Sequence, residues 1–473
     1  MREFLTTRLI PVLAAIAVTY LLGPTAVPGA LMGPLRQAQA AFAGGRMDVA
    51  LEALEEALAF EPGFAALHPL AARAALEARL PASALAHLQS AEALLPSDPS
   101  WRCQEGLALA MLEDRRGAVD LWGEEAETCF SQPEIVRSWA EIALATGDRE
   151  ETLDALARLT ILEPANPEAY LRYGLALATQ DPETAVDTLR IADELSAGGS
   201  PIARQVIDAI QDALREDDPA YALAAAGQAL GEVGEWRLAA WAFLEALLLN
   251  PQYTAARAYF GLALDQSGGD GLLELERAVA ASPGDPLPHF FLGLHWRAQG
   301  DPAAAVDSLM TAAELDPANP SIAAELGGAF EDLGEMTAAL AALRHAAELA
   351  PREAGFWRLL AQFSLRHEIE LRRVGLPAAR NAYLLAPEDA TACDDLGYGY
   401  YLVGDSALAS RFLRRALELD PMRPLTQYHF GLLLIQQNEI AEARAAFEIA
   451  ARLDPQGAIG SLAERTLDGL PSP

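Results

Sequence analysis

A fixed beat of small residues runs along most of the chain and restricts what it can fold into. In Leu326–Pro351, "LGGAFEDLGEMTAALAALRHAAELAP", Gly327 is followed after seven residues by Gly334. Ala339, Ala346 and Pro351 come next, at offsets of five, seven and five. The same offsets recur as Gly293, Gly300, Ala305, Ala312, Pro317, as Gly397, Gly404, Ala409, Ala416, Pro421, and as Gly227, Gly234, Ala239, Ala246, Pro251. With substitutions they are Gly431, Asn438, Ala443, Ala450, Pro455, then Ala72, Arg79, Ala84, Ala91, Pro96, and Ala38, Gly45, Ala50, Ala57, Pro62. The closing prolines Pro283, Pro317, Pro351, Pro387, Pro421 and Pro455 stand 34, 34, 36, 34 and 34 residues apart. Such a period means one supersecondary unit stacked many times.

Each element of the beat has a physical reason. The first small residue, mid-way along a helix, lets a facing helix approach closely. The second sits in a turn, where glycine takes positive φ and ends the first helix. The two alanines, seven apart, lie near one face of the second helix, and an apolar residue between them (Leu309, Leu343, Phe447) fills the gap. Proline then stops the second helix. The pattern resembles the tetratricopeptide repeat and covers roughly Leu31–Pro455. The resemblance implies an all-α, right-handed superhelical solenoid of about twelve antiparallel helix pairs. It also implies a non-catalytic scaffold, whose first helices line a concave groove that binds protein or peptide partners.

Several units depart from the pattern. The unit around Gly106–Ala118 closes poorly at "ETCFSQP", and that at Gly174 lacks a turn glycine. The unit at Gly261 is short, and the one from Trp357 carries about two extra residues at "RHEIELRRVGLP". Between Ser196 and Pro219 the beat fails and one unpaired helix, Ile202–Glu216, is expected. The organisation read from the sequence is thus an N-terminal signal or anchor segment (1–30), a first repeat block (31–198), a linker with an extra helix (199–219), a second block (220–455) and a capping helix with tail (456–473).

The net charge is −33, and all 34 basic residues are arginine. Phosphates and anionic lipid would be repelled, which argues against nucleic acid and favours a basic partner. The missing lysine excludes Schiff-base and phosphate-loop lysine chemistry. From Leu9 to Leu35 no residue is charged, with Arg2 and Arg8 before and Arg36 after. Its densest part, Leu9–Leu22, has signal-peptide length, and the whole is just long enough to span a bilayer. The flanking arginines favour a cytoplasmic N-terminus and an extracytoplasmic body, anchored or exported. "AQA" at 38–40 looks like a cleavage site but lies in the first expected repeat helix, so an uncleaved anchor or cleavage near 26–30 is preferred. The segment is the only membrane contact expected.

Little chain is left for a catalytic domain. "HEIEL" at His367–Leu371 starts like a zinc-protease helix, but Leu371 stands where the second histidine must be. No histidines pair at i, i+4, and no nucleophile elbow or phosphate loop occurs. No metal, cofactor or catalytic site is therefore expected. Cys103 falls near the start of a first helix and Cys129 near the end of its partner, so a disulfide is geometrically open, as are two unrelated thiols. Cys393 has no obvious partner. The groove positions contain no asparagine and no lysine, which speaks against a carboxylate clamp for chaperone tails. Instead Glu325, Glu331, Asp332, Asp394 and Asp395 make its later half acidic, and Phe290, Phe291, Tyr398, Tyr401 and Tyr428 add aromatic surface. Anchors of this kind suit a peptide carrying basic and apolar side chains. The reading is a scaffold in a cell-envelope assembly, or else an accessory subunit of an envelope glycosyltransferase or a secretion or biogenesis machine.

Overall fold

The structure, a computed structural model, describes residues 29–96 and 98–470. Every regular element among them is helical, with 27 α-helices. The chain divides into two compact units between Val233 and Gly234. In the first unit the antiparallel pairs are Gly29–Ala43 with Met47–Phe60, His68–Glu77 with Pro81–Leu94, Pro99–Met111 with Arg115–Glu124, Pro133–Thr146 with Arg149–Leu162, and Pro167–Leu177 with Pro182–Leu195. In the second they are Thr254–Gln266 with Leu272–Ala281, Pro286–Ala298 with Pro302–Leu315, Pro320–Leu333 with Met336–Leu349, Ala354–Arg366 with Leu376–Leu385, Ala390–Leu402 with Ser406–Leu419, and Pro424–Gln436 with Ile440–Leu453.

The beat maps onto close contacts. A Cβ added at Gly397 would stand 2.8 Å from Leu413 Cγ and 2.9 Å from its backbone nitrogen. No larger residue therefore lets the two helices touch there. Turn glycines such as Gly404 (φ +84°) adopt the left-handed conformation. Where the beat substitutes them, Arg79 (φ 60°) and Asn438 (φ 62°) are forced into it as well. Helix starts are set by Asx-Pro pairs. Asn319 accepts from Ser321 and Ile322 N–H and Asp285 from Leu287 N–H, while the following proline occupies the first helical turn, where no N–H is needed.

The irregular units are repaired locally. Arg115–Glu124 ends early and is followed by the short helix Ala126–Cys129. That helix brings Cys129 to bonding distance of Cys103, at 2.09 Å between sulfurs. Trp122, wholly buried, donates from Nε1 to the Cys103 carbonyl at 3.0 Å, and Phe130 stacks on Trp139. Both cysteines are expected to resist alkylation in oxidised native protein until a reductant is added. Rapid labelling of either before reduction would show the pair to be open. The two extra residues after Ala354–Arg366 are taken up by Glu368 and Glu370, both at positive φ, and one π-helical turn, Leu371–Gly375.

The stretch where the beat fails is ordered. Pro201–Ala213 is capped by Ser200 and packs against Pro182–Leu195 and Pro219–Glu232. At the C-terminus Ala458–Gly469 packs on Ile440–Leu453 and covers its face. Residues 1–28, with most of the expected signal or anchor segment, lie outside the described residues. The rest of that apolar stretch begins Gly29–Ala43, where Leu31 is buried in the core of the first pair and Ala38, of the "AQA" triplet, is buried too. Among the described residues no helix is long and apolar enough to cross a membrane.

Candidate functional site

Within the 234–470 unit successive first helices touch one another more than successive second helices do, so the first helices line its inner side. Six of them, from Thr254–Gln266 to Pro424–Gln436, are joined by a seam of polar pairs. Asp265 Oδ2 lies 2.9 Å from His295 Nδ1. Arg297 donates to Asp332 at 2.9 Å and also holds Glu325. Glu331 Oε1 takes both Arg366 Nη1 and His367 Nε2 at 2.8 Å. Gln362 Nε2 donates to Asp395 at 3.0 Å, and Arg358 Nη1 to Asp389 at 3.0 Å. Finally His429 Nδ1 lies 3.0 and 3.1 Å from the two carboxylate oxygens of Asp394. Each link spans about one repeat, so every neighbouring pair of first helices is tied by at least one.

The expected acidic groove is therefore largely internally neutralised. Asp394 is wholly buried and Asp395 is 6% exposed, which corrects their expected place as free groove carboxylates. The cause is cover from the neighbouring repeats: His429 lies against Asp394 and Gln362 against Asp395. Phe291 is also core rather than groove, buried with Ala258, Leu275 and Ala278. Phe290 is half-buried between that cluster and Ala305–Leu309. Of the five acids only Asp332 is exposed, and it is held by Arg297.

The tyrosines remain at the surface of the seam. Tyr398 lies flat on the His429 imidazole, with ring centroids 3.8 Å apart and 7° between planes. Tyr401 stacks beyond it at 5.8 Å, and Tyr428 tilts against His429 at 6.3 Å. All three are half-buried. Burial pushes the Tyr398 hydroxyl up to about 12, with Tyr401 and nearby carboxylates adding to it, so it stays a neutral donor. Burial pushes the Asp395 carboxyl up to about 7, the adjacent Asp394 charge adds to this, and the Gln362 amide opposes it. Burial likewise pushes the lone thiol of Cys393 up to about 11, which leaves it an inert core group.

His295, His429, Arg297 and Arg366 are seam residues that the sequence does not mark with any motif, while His367 appears there only as the start of the failed zinc-protease pattern. A signal was present: carboxylate and histidine recur 30, 36 and 35 residues apart (Asp265–His295, Glu331–His367, Asp394–His429). A search at i, i+4 looks along one helix and misses partners one repeat away.

A family model described as "Tetratricopeptide repeat" matches residues 35–99, 137–200, 269–320 and 395–458, and a second of the same description matches 297–363. Human and mouse aspartyl/asparaginyl beta-hydroxylase are 37% identical to this chain over 59 residues, 12% of this chain. The chain spans 8% of those relatives' length. Among solved structures, the APC/C hetero-tetramer Cut9-Hcn1 aligns over 98% of this chain and 99% of that one, at 14% identity and a TM-score of 0.44. Residues 41 to the end of MamA from Desulfovibrio magneticus RS-1 align over 37% of this chain and 97% of that one, at 20% identity and a TM-score of 0.33.

Proposed function

Since the chain belongs to the tetratricopeptide repeat family, we propose that it is a non-catalytic scaffold that binds a protein or peptide partner on the first-helix face of its 234–470 unit. One observation carries this reading. Tyr398, Tyr401 and Tyr428 form a half-buried aromatic patch, held rigid by the stack on His429 and the buried Asp394 behind it. Rigid, half-desolvated aromatics with a polar handle are what binding hot spots are made of. The partner segment is basic and apolar: arginine stacks on tyrosine faces, and a chain of net charge −33 attracts cations at long range. The uncharged stretch 9–28, ahead of the first repeat helix, further supports a role in a cell-envelope assembly, with the repeats outside the cytoplasm.

The test is anisotropy of a labelled peptide alternating arginine with leucine and aromatic residues, against a twin with glutamate for arginine. The arginine peptide is expected to bind and the twin not. The double variant Tyr398→Ala, Tyr401→Ala is expected to weaken binding at least tenfold, about 1.4 kcal/mol or more, with far-UV circular dichroism unchanged. Equal binding by the two peptides, or an unaffected double variant, sinks the reading.

A further inference from the structure

We propose that the shortened repeat of the second unit is a binding site for a divalent first-row transition ion of the zinc type, held by Asp265, Asp270 and His295. Among the described residues these three bring one ligand atom each within 4.8 Å of one another. They converge because the repeat is short. Thr254–Gln266 and Leu272–Ala281 are joined by the tight loop "SGGDG", in which Gly268 has a φ of +86°. A Cβ on Gly271 would stand 2.0 Å from the Gly261 carbonyl oxygen, so the two helices are pressed together at this corner. Asp265, at the end of the first helix, and Asp270, just before the second, are thereby set side by side. His295 reaches them from the next repeat and is 3% exposed.

The donor set defines the ion. One imidazole nitrogen with two carboxylate oxygens suits zinc or a neighbouring transition ion, whereas calcium and magnesium favour all-oxygen shells. His295 Nδ1 and Asp265 Oδ2 are 2.9 Å apart. Two ligands about 2.0–2.1 Å from a tetrahedral ion stand about 3.4 Å apart, so a shift of about half an ångström seats the ion between them. The ion replaces the proton shared by that pair. The outer groups that orient metal ligands are also in place. Gly271 N–H donates to Asp265 Oδ1 at 2.7 Å, and Leu272 N–H to Asp270 Oδ1 at 3.0 Å, leaving one oxygen of each carboxylate for the ion. Asp270 is exposed, which gives the ion a way in and leaves water to complete its shell. Among the described residues the other carboxylate–histidine links of the seam have no third ligand beside them. Asp265–His295 is thus the one link that an ion can lock, tying two repeats together.

The experiment is calorimetric titration of tag-free, chelator-treated full chain with Zn²⁺, for wild type, Asp270→Asn and the control Glu314→Gln. In Asp270→Asn the side-chain amide oxygen still accepts from the Leu272 N–H, so the fold is preserved. Glu314 is an exposed acid on a second helix, whose loss tests bulk charge alone. Wild type and Glu314→Gln are expected to bind one more equivalent than Asp270→Asn, or to bind it at least tenfold more tightly. Saturating zinc is expected to raise the thermal midpoint in those two proteins more than in Asp270→Asn. The His68–His87 pair, with Nδ1 atoms 3.1 Å apart, is common to all three proteins and cancels in the comparison. Superimposable isotherms for wild type and Asp270→Asn overturn the proposal, as does an equal loss in Glu314→Gln. The peptide experiment above involves none of these ligands, so either result stands without the other.

Discussion

Replacing Asp394 by alanine is expected to destabilise the last two helix pairs by about 1–3 kcal/mol, the cost of leaving a buried imidazole N–H without its acceptor. Asp394 has no exposed side-chain surface, and both its oxygens face His429 Nδ1 at 3.0–3.1 Å. Without them the imidazole N–H is left beneath the Tyr398 ring without its protein acceptor. Asparagine keeps an oxygen for that N–H and is expected to cost less than half as much. In a repeat stack each helix pair is stabilised by its neighbours, so the damage is local. Amide exchange is expected to accelerate over Pro424–Gly469 in Asp394→Ala, while the 29–233 unit keeps its wild-type protection. Unchanged exchange in Pro424–Gly469 would show that the Asp394–His429 link adds nothing to the coupling between these repeats.

What the sequence disclosed follows from which interactions repeat. Gly397 faces Leu413, Gly327 faces Leu343, and Gly431 faces Phe447, because each pair closes by the same contact. At these three positions an added Cβ collides with the facing side chain, and elsewhere only alanine replaces glycine, so the constraint is written at a fixed offset. The turn and cap residues are legible for the same reason. The seam was not, because the group that meets the carboxylate changes along it: imidazole at His295, His367 and His429, guanidinium at Arg297, amide at Gln362. Only the spacing persists. The sequence placed Asp394 and Asp395 on the groove side of their helix, but depth is set by side chains one repeat away. His429 covers Asp394, and Gln362 covers Asp395. Phe291 went to the core likewise, because Tyr259 of the preceding first helix meets it edge-on at 4.9 Å. The short unit at Gly261 reads in the sequence as a defect, yet the shortening is what sets Asp265, Asp270 and His295 together.

The neighbour of Asp394 should behave in the opposite sense. Asp395→Asn is expected to stabilise the chain, by about 4 kcal/mol at pH 8. Burial raises the folded carboxyl to about 7, against 3.8 in the unfolded chain. At pH values below the unfolded value both states hold the proton and the group costs nothing. As pH rises, the unfolded chain releases its proton first while the folded chain keeps it. Stability therefore falls by up to about 1.4 kcal/mol per pH unit until the folded carboxyl also ionises near neutrality, and the loss is then complete. Asparagine cannot ionise, still accepts from Gln362 Nε2, and removes the repulsion with Asp394. The gain of Asp395→Asn over wild type should accordingly grow from pH 5 to about pH 7 and level off beyond it. Other titrating groups are common to both proteins and drop out of the difference between thermal midpoints measured from pH 5 to 8.5. A difference that stays flat across that range would mean that Asp395 is ionised when folded throughout, with the Gln362 amide sufficient to hold its charge in the core.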